Sequence, residues 1–179
     1  MSNLRLINET TATSVSSVDI TDVFSADFDI YKIEIEADDY NANSLLTLRL
    51  INSSGSVISS TDYANAIQYQ RTDTTFSELR STADTVLFER VLGFFSYNSG
   101  SRQGGAGTVY IFNPSNTSSY TFALAQASSD LQTGRFGGVK GIGVLKQTSS
   151  ITGFQLTQDI YTATYGEIKA KVYGLRVDS

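Results

Sequence analysis

From Gly166 to Val177 the chain reads Gly-Glu-Ile-Lys-Ala-Lys-Val-Tyr-Gly-Leu-Arg-Val. Ile168, Ala170 and Val172 share one parity, and Glu167, Lys169 and Lys171 share the other. Successive side chains of an extended chain point to opposite faces, so this period of two describes a strand with one buried and one wetted face. Such a strand near the end of a chain must complete a sheet whose other strands came earlier. The expected fold is an all-β, two-sheet antiparallel β-sandwich that this strand completes.

The preceding residues repeat the pattern. Tyr31, Ile33 and Ile35 alternate with Lys32, Glu34 and Glu36, and Leu46, Leu48 and Leu50 alternate with Thr47 and Arg49. Asn52-Ser53-Ser54-Gly55 turns the chain into Val57-Ile58, a hairpin signal. Thr61 to Gln70 reads as extended. Val86 to Phe95 is apolar at both parities, which fits either a central strand or a buried helical stretch, and its Phe, Val and Leu favour a strand. Gly107 to Asn113 is a strand closed by Pro114, and Asn113-Pro114-Ser115-Asn116 is a turn. Tyr120, Phe122 and Leu124 begin the return strand, and Gly137–Leu145 and Ile151–Leu156 supply two more. About nine or ten strands with no helix make one sandwich domain over residues 18–179. Residues 1–17 form an N-terminal arm or an edge strand.

Composition removes whole classes of chemistry. The 179 residues contain no His and no Cys. A Ser-His-Asp triad, a Cys nucleophile, a disulfide and thiolate or imidazole metal sites are therefore impossible within this chain. The net charge is −5 and the 13 basic residues are scattered, whereas phosphate neutralisation needs them clustered, so no nucleic-acid partner is expected. No apolar run nears the roughly 20 residues of a membrane helix, and no hydrophobic signal core opens the chain. Charged residues make up only 17%, against about 25% in average chains, and Ser, Thr, Asn, Gln and Gly take their place.

Several stretches merit a chemical reading. Asp39-Tyr40-Asn41-Ala42-Asn43 places oxygens as a calcium loop does, but Ser44 and Leu50 stand where an EF-hand needs Gly and Glu. It reads as an Asn/Asp turn. The glycines between Gly134 and Gly143 match neither a dinucleotide fingerprint nor a P-loop, and read as strand glycines that permit a bend or close packing. Asp62, Asp73, Glu78, Asp84 and Glu89 are available as hydrolytic carboxylates, yet only Glu89, between Phe88 and Val91, lies in an apolar setting. No catalytic, cofactor-binding or metal-binding residue is assigned, and no cofactor is expected. Tyr40, Tyr63, Tyr97, Tyr161 and Tyr165 fall in or near loops. An exposed Tyr can stack on a sugar or fill a subunit interface. The other reading is Tyr at sandwich corners with satisfied hydroxyls.

The segments Phe28–Ile35, Leu46–Leu50, Thr61–Tyr63, Gly107–Pro114, Ser119–Phe122, Ser150–Gln155 and Gly166–Leu175, in this order and spacing, carry a family likeness. In them the chain resembles jelly-roll virion structural proteins of tailed bacteriophages, those of marine and cyanobacterial phages in particular. The resemblance implies a non-enzymatic protein that decorates the capsid or forms a tail or fibre module. It implies self-association, as a trimer, and contact with other virion proteins. Such a protein is made in the host cytoplasm and resides in the virion. It carries no catalytic residues to transfer. The alternative is a carbohydrate-binding or host-receptor adhesion module whose partner is a host surface glycan.

Overall fold

The structure, a computed structural model, describes residues 3–38, 44–74, 76–89, 91, 94–95, 104–132, 135–158 and 164–175. Twelve strands follow in order: β1 (Leu4–Val15), β2 (Ser17–Ile20), β3 (Ile30–Asp38), β4 (Ser44–Asn52), β5 (Tyr63–Arg71), β6 (Ser77–Asp84), β7 (Phe94–Phe95), β8 (Gly105–Phe112), β9 (Thr121–Gln132), β10 (Arg135–Leu145), β11 (Ile151–Gln158) and β12 (Tyr165–Leu175). Eight form one antiparallel sheet in the order β1-β12-β3-β8-β9-β10-β5-β6. The smaller sheet is β2-β11-β4, with the two-residue β7 against β4. The molecule is a β-sandwich, as the alternation requires.

The strand anticipated at Gly166–Val177 is β12. Ile168, Ala170 and Val172 are buried and the charged parity faces outward. The N-terminal residues are an edge strand: β1 pairs with β12 from Leu4↔Leu175 to Val15↔Tyr165, interrupted by a bulge between Leu6 and Asn8. A single residue, Ser16, then carries the chain to β2 in the other sheet. Ser14, at a φ of 56°, helps turn this corner, in a region that side chains other than Gly seldom occupy.

Between the sheets, Tyr31 of β3 meets Phe24 edge-on at 4.8 Å, and Phe24 stacks on Phe154 of β11 at 5.9 Å. The Tyr31 hydroxyl donates to the Ser25 carbonyl and accepts from the Ser25 N–H. The loop before β3 is thereby tied to the core by one aromatic side chain. The Asn113–Asn116 turn forms as its sequence implies, with the Asn116 N–H on the Asn113 carbonyl at 3.2 Å and Asn113 at a φ of 54°.

The stretch Val86–Phe95 departs from expectation. Among its described residues only Phe94–Phe95 is a strand, and Val86, Leu87, Phe88 and Val91 are buried in irregular backbone. They are apolar at both parities because the segment is buried against the edge of β4 and the inner face of β10, not because it is a central strand. Its backbone serves the free edge of β4. Leu48 donates to the Phe88 carbonyl, Leu87 to the Leu48 carbonyl and Val91 to the Leu46 carbonyl. The predicted hairpin after β4 is shortened to one bridge, Ile51↔Val57. At the next position the two backbones are held apart by a side chain. Ile58 donates directly to the Leu50 carbonyl, but the Leu50 N–H reaches the Tyr63 hydroxyl, which donates on to the Ile58 carbonyl. An edge that would otherwise leave unpaired polar groups in the interior is thus closed piece by piece.

Candidate interaction face

In β9 the inward residues are Thr121, Ala123, Ala125, Ala127 and Ser129, while Phe122 and Leu124 point outward. β10 repeats this, with Gly141 and Gly143 inward and Ile142 and Val144 outward. Large apolar side chains normally take the inner face. Here that space is already filled by the irregular segment. A Cβ on Gly143 would lie 2.9 Å from Leu87 Cδ1 and 3.2 Å from Phe88 Cζ, and one on Gly141 would lie 3.3 Å from Phe88 Cε1. The glycine-rich stretch therefore serves close packing, in line with its sequence reading.

Register aligns the outward side chains into rows across the eight-stranded sheet. One row runs Leu175, Ile30, Phe112, Phe122, Val144 and Ala64, with Leu4 continuing it onto β1. The next runs Tyr173, Lys32, Tyr110, Leu124, Ile142 and Ala66, between Leu6 and Arg80 at the two edges. The third is polar throughout: Lys171, Glu34, Thr108, Gln126, Lys140 and Gln68, between Glu9 and Glu78. The fourth carries Lys169, Glu36, Ala106, Ser128, Gly138 and Gln70. One half of the face is apolar and the other half polar.

Ile142 is 59% exposed, Phe122 49% and Leu124 46%. Together with Phe112 and Val144 they border a shallow hollow of about 820 Å³. A second trough, of about 930 Å³, crosses the polar rows over Thr108, Gln126, Gln68 and Lys140, with Tyr110 beside it. The large apolar side chains that stand exposed among the described residues are Leu4, Leu6, Phe76, Tyr120, Phe122, Leu124, Phe136 and Ile142. All eight lie on this face or, like Phe76 and Tyr120, one residue before a strand and in step with its outward parity.

Charges on the four rows are balanced, with five basic residues (Lys32, Arg80, Lys140, Lys169 and Lys171) against four acidic ones (Glu9, Glu34, Glu36 and Glu78). Many are paired within the sheet. Lys32 Nζ sits 2.7 Å from Glu34 Oε1, and Lys171 Nζ sits 3.3 Å from Glu9 Oε1. The Lys32 hydrogen bond holds the Glu34 carboxyl below its ordinary value, and the same bond raises Lys32. Both groups are solvent-exposed enough that the pair adds little to stability.

The tyrosines singled out from the sequence separate clearly. Tyr63 and Tyr165 are 0% exposed, so neither ring is offered to a ligand or a partner. Tyr63 is a corner tyrosine with a satisfied hydroxyl, and burial raises its pKa above the ordinary 10. Tyr165 is buried where β12 begins, opposite Val15. Tyr40, Tyr97 and Tyr161 lie outside the described residues, as does the Asp39–Asn43 loop. The candidate hydrolytic acids are engaged locally. Asp62 accepts from Ser60 and Gln147, Asp73 pairs with Arg71 at 2.9 Å, and Asp84 accepts from Asn65 Nδ2 at 2.9 Å. Glu89 is half-buried. Sequence reading passed over Phe122, Leu124, Ile142 and Val144 as outward residues. The available signal was the run of Ala and Gly at the opposite parity.

No family model matches the chain, and no curated protein sequence matches it significantly.

Proposed function

We propose that this protein is a non-enzymatic structural component of a tailed-bacteriophage virion, on the head or on the tail, and that it works by protein–protein contact through the outer face of its larger sheet. One observation carries the contact. β9 and β10 place Phe122, Leu124 and Ile142 outward while Ala and Gly occupy the inner parity. Contiguous exposed apolar surface of this kind marks interaction sites on soluble proteins. The virion setting draws its support from the resemblance of the ordered strand segments. Immunogold labelling of purified particles with antibody against this chain tests it. Gold over the head makes it a decoration protein, gold on the tail makes it a tail or fibre module, and particles without gold refute the reading.

A second reading is glycan binding, and the polar trough favours it. Tyr110, Gln126, Gln68 and Thr108 set an aromatic ring beside amides and a hydroxyl, the groups that suit a sugar's apolar face and its hydroxyls. Binding on a glycan array that is lost in Gln126→Ala would establish this role, and an array without signal would remove it.

A further inference from the structure

We infer that the outer face of the eight-stranded sheet is the contact between two copies of this chain, stacked sheet on sheet about a two-fold axis passing near Leu124 and Ile142. This rests on the structural reading above and names the partner for its face.

The distribution of apolar surface chooses the symmetry. A head-to-tail contact joins two different patches on each subunit, whereas a two-fold contact uses one patch twice. Six of the eight exposed large apolar side chains among the described residues cluster at the apolar end of this one face, and Phe76 and Phe136 lie beyond its polar rows. A trimer ring, which the family resemblance implies, would need a second and complementary patch.

Charge points the same way. The chain carries a net charge of −5, so two copies repel at long range. With the next row, which adds Glu167 and Asp38, the face holds five basic residues against six acidic ones, so it carries only about one of those negative charges. Like copies therefore meet little repulsion here, and the near-balance recruits neither an acidic nor a basic partner.

Size is sufficient. Eight strands spaced at about 4.8 Å, with four outward rows at about 6.8 Å, span about 1,000 Å² of sheet per copy. A standard stable interface takes about 800 Å² per partner. The apolar rows would form its core and the polar rows its rim, the division seen in stable interfaces. Two sheets packed about 10 Å apart would interdigitate Phe122, Leu124 and Ile142 with their counterparts.

The chain has no cysteine, so one introduced thiol is unique. Leu124→Cys, being close to the axis, should form a covalent dimer with a short bismaleimide cross-linker at micromolar protein, because sheets about 10 Å apart hold facing thiols beyond direct disulfide reach. Asp19→Cys, on the outward side of the smaller sheet, should stay unlinked. Sedimentation of the wild type should give twice the 19.4 kDa chain mass. Ile142→Glu should weaken dimerisation at least 30-fold. Because Ile142 is exposed in the single chain, that variant should keep the wild-type circular dichroism spectrum, which verifies folding. A monomeric wild type at 100 μM overturns the inference, as does a trimer, or a dimer that neither substitution affects. The virion reading fails separately, on particles without gold, and a confirmed dimer would survive that failure.

Discussion

Replacing Tyr63 by Phe removes one oxygen atom and leaves the ring in place, so it isolates a single polar tie between the two sheets. That oxygen accepts from the Leu50 N–H at 3.0 Å and donates to the Ile58 carbonyl at 3.1 Å. The side chain is fully buried, so water has no ready access to replace it. Leu50 and Ile58 also cannot simply close the gap, because Ile58 already donates to the Leu50 carbonyl at 2.9 Å across a separation that the hydroxyl sets. Each buried backbone group left unpaired costs about 1–3 kcal/mol. The expected loss in urea unfolding is about 2–4 kcal/mol, a large share of the roughly 5–15 kcal/mol that holds a typical domain. Alkaline pH gives an independent reading. Burial raises the folded pKa of Tyr63 above its unfolded value of 10. Above pH 10 the unfolded chain releases this proton while the folded chain keeps it. Stability therefore falls as pH rises, by up to about 1.4 kcal/mol per pH unit from this group. Tyr63→Phe lacks the group, so the gap between wild type and variant should narrow above pH 10. A loss under 0.5 kcal/mol at neutral pH, or a gap that stays constant to pH 11, would refute the tie.

Two further substitutions test the packing logic. Gly143→Ala should destabilise by about 1–3 kcal/mol in urea unfolding, because its Cβ meets both Leu87 and the Phe88 ring; a neutral result would mean that the irregular segment does not fill the space above β10. Asn52→Ala should cost about 1 kcal/mol by the same assay, since its side-chain oxygen accepts from the Ser54 N–H at 3.1 Å and the Ser56 N–H at 3.0 Å in the turn after β4.

How far the sequence foretells this structure depends on what decides each residue's side. In β3 and β12 the inner face is free to accept large side chains, so alternation alone places Ile33 and Ile168 correctly; in β4 it places Leu48 correctly but not Thr47, expected outward, which is fully buried and donates to the Thr157 carbonyl. Turn chemistry is equally local, and Asn113–Asn116 forms where its residues imply. Val86–Phe95 is different. Its apolar residues at both parities state that it is buried, but a buried irregular segment and a central strand have the same composition. Tyr63 shows the same limit at one residue. Proximity to a loop is visible in sequence, whereas the backbone gap between Leu50 and Ile58 that receives its hydroxyl is created only by tertiary packing.

The outer face follows from that irregular segment. Once Leu87 and Phe88 occupy the space over Gly141 and Gly143, β10 has no room for Ile142 or Val144 inside. A register slip of one residue would bring them inward, but it would also drive the whole inner parity of the strand into water. The chain keeps its register and leaves the large side chains outside. A monomer could have used Thr or Lys at these positions without disturbing a single interior contact. Phe122, Leu124 and Ile142 therefore give the isolated fold only their cross-strand contacts. What they offer is an apolar band on the outside of the sheet, and most of its exposed area leaves water only when another surface covers it.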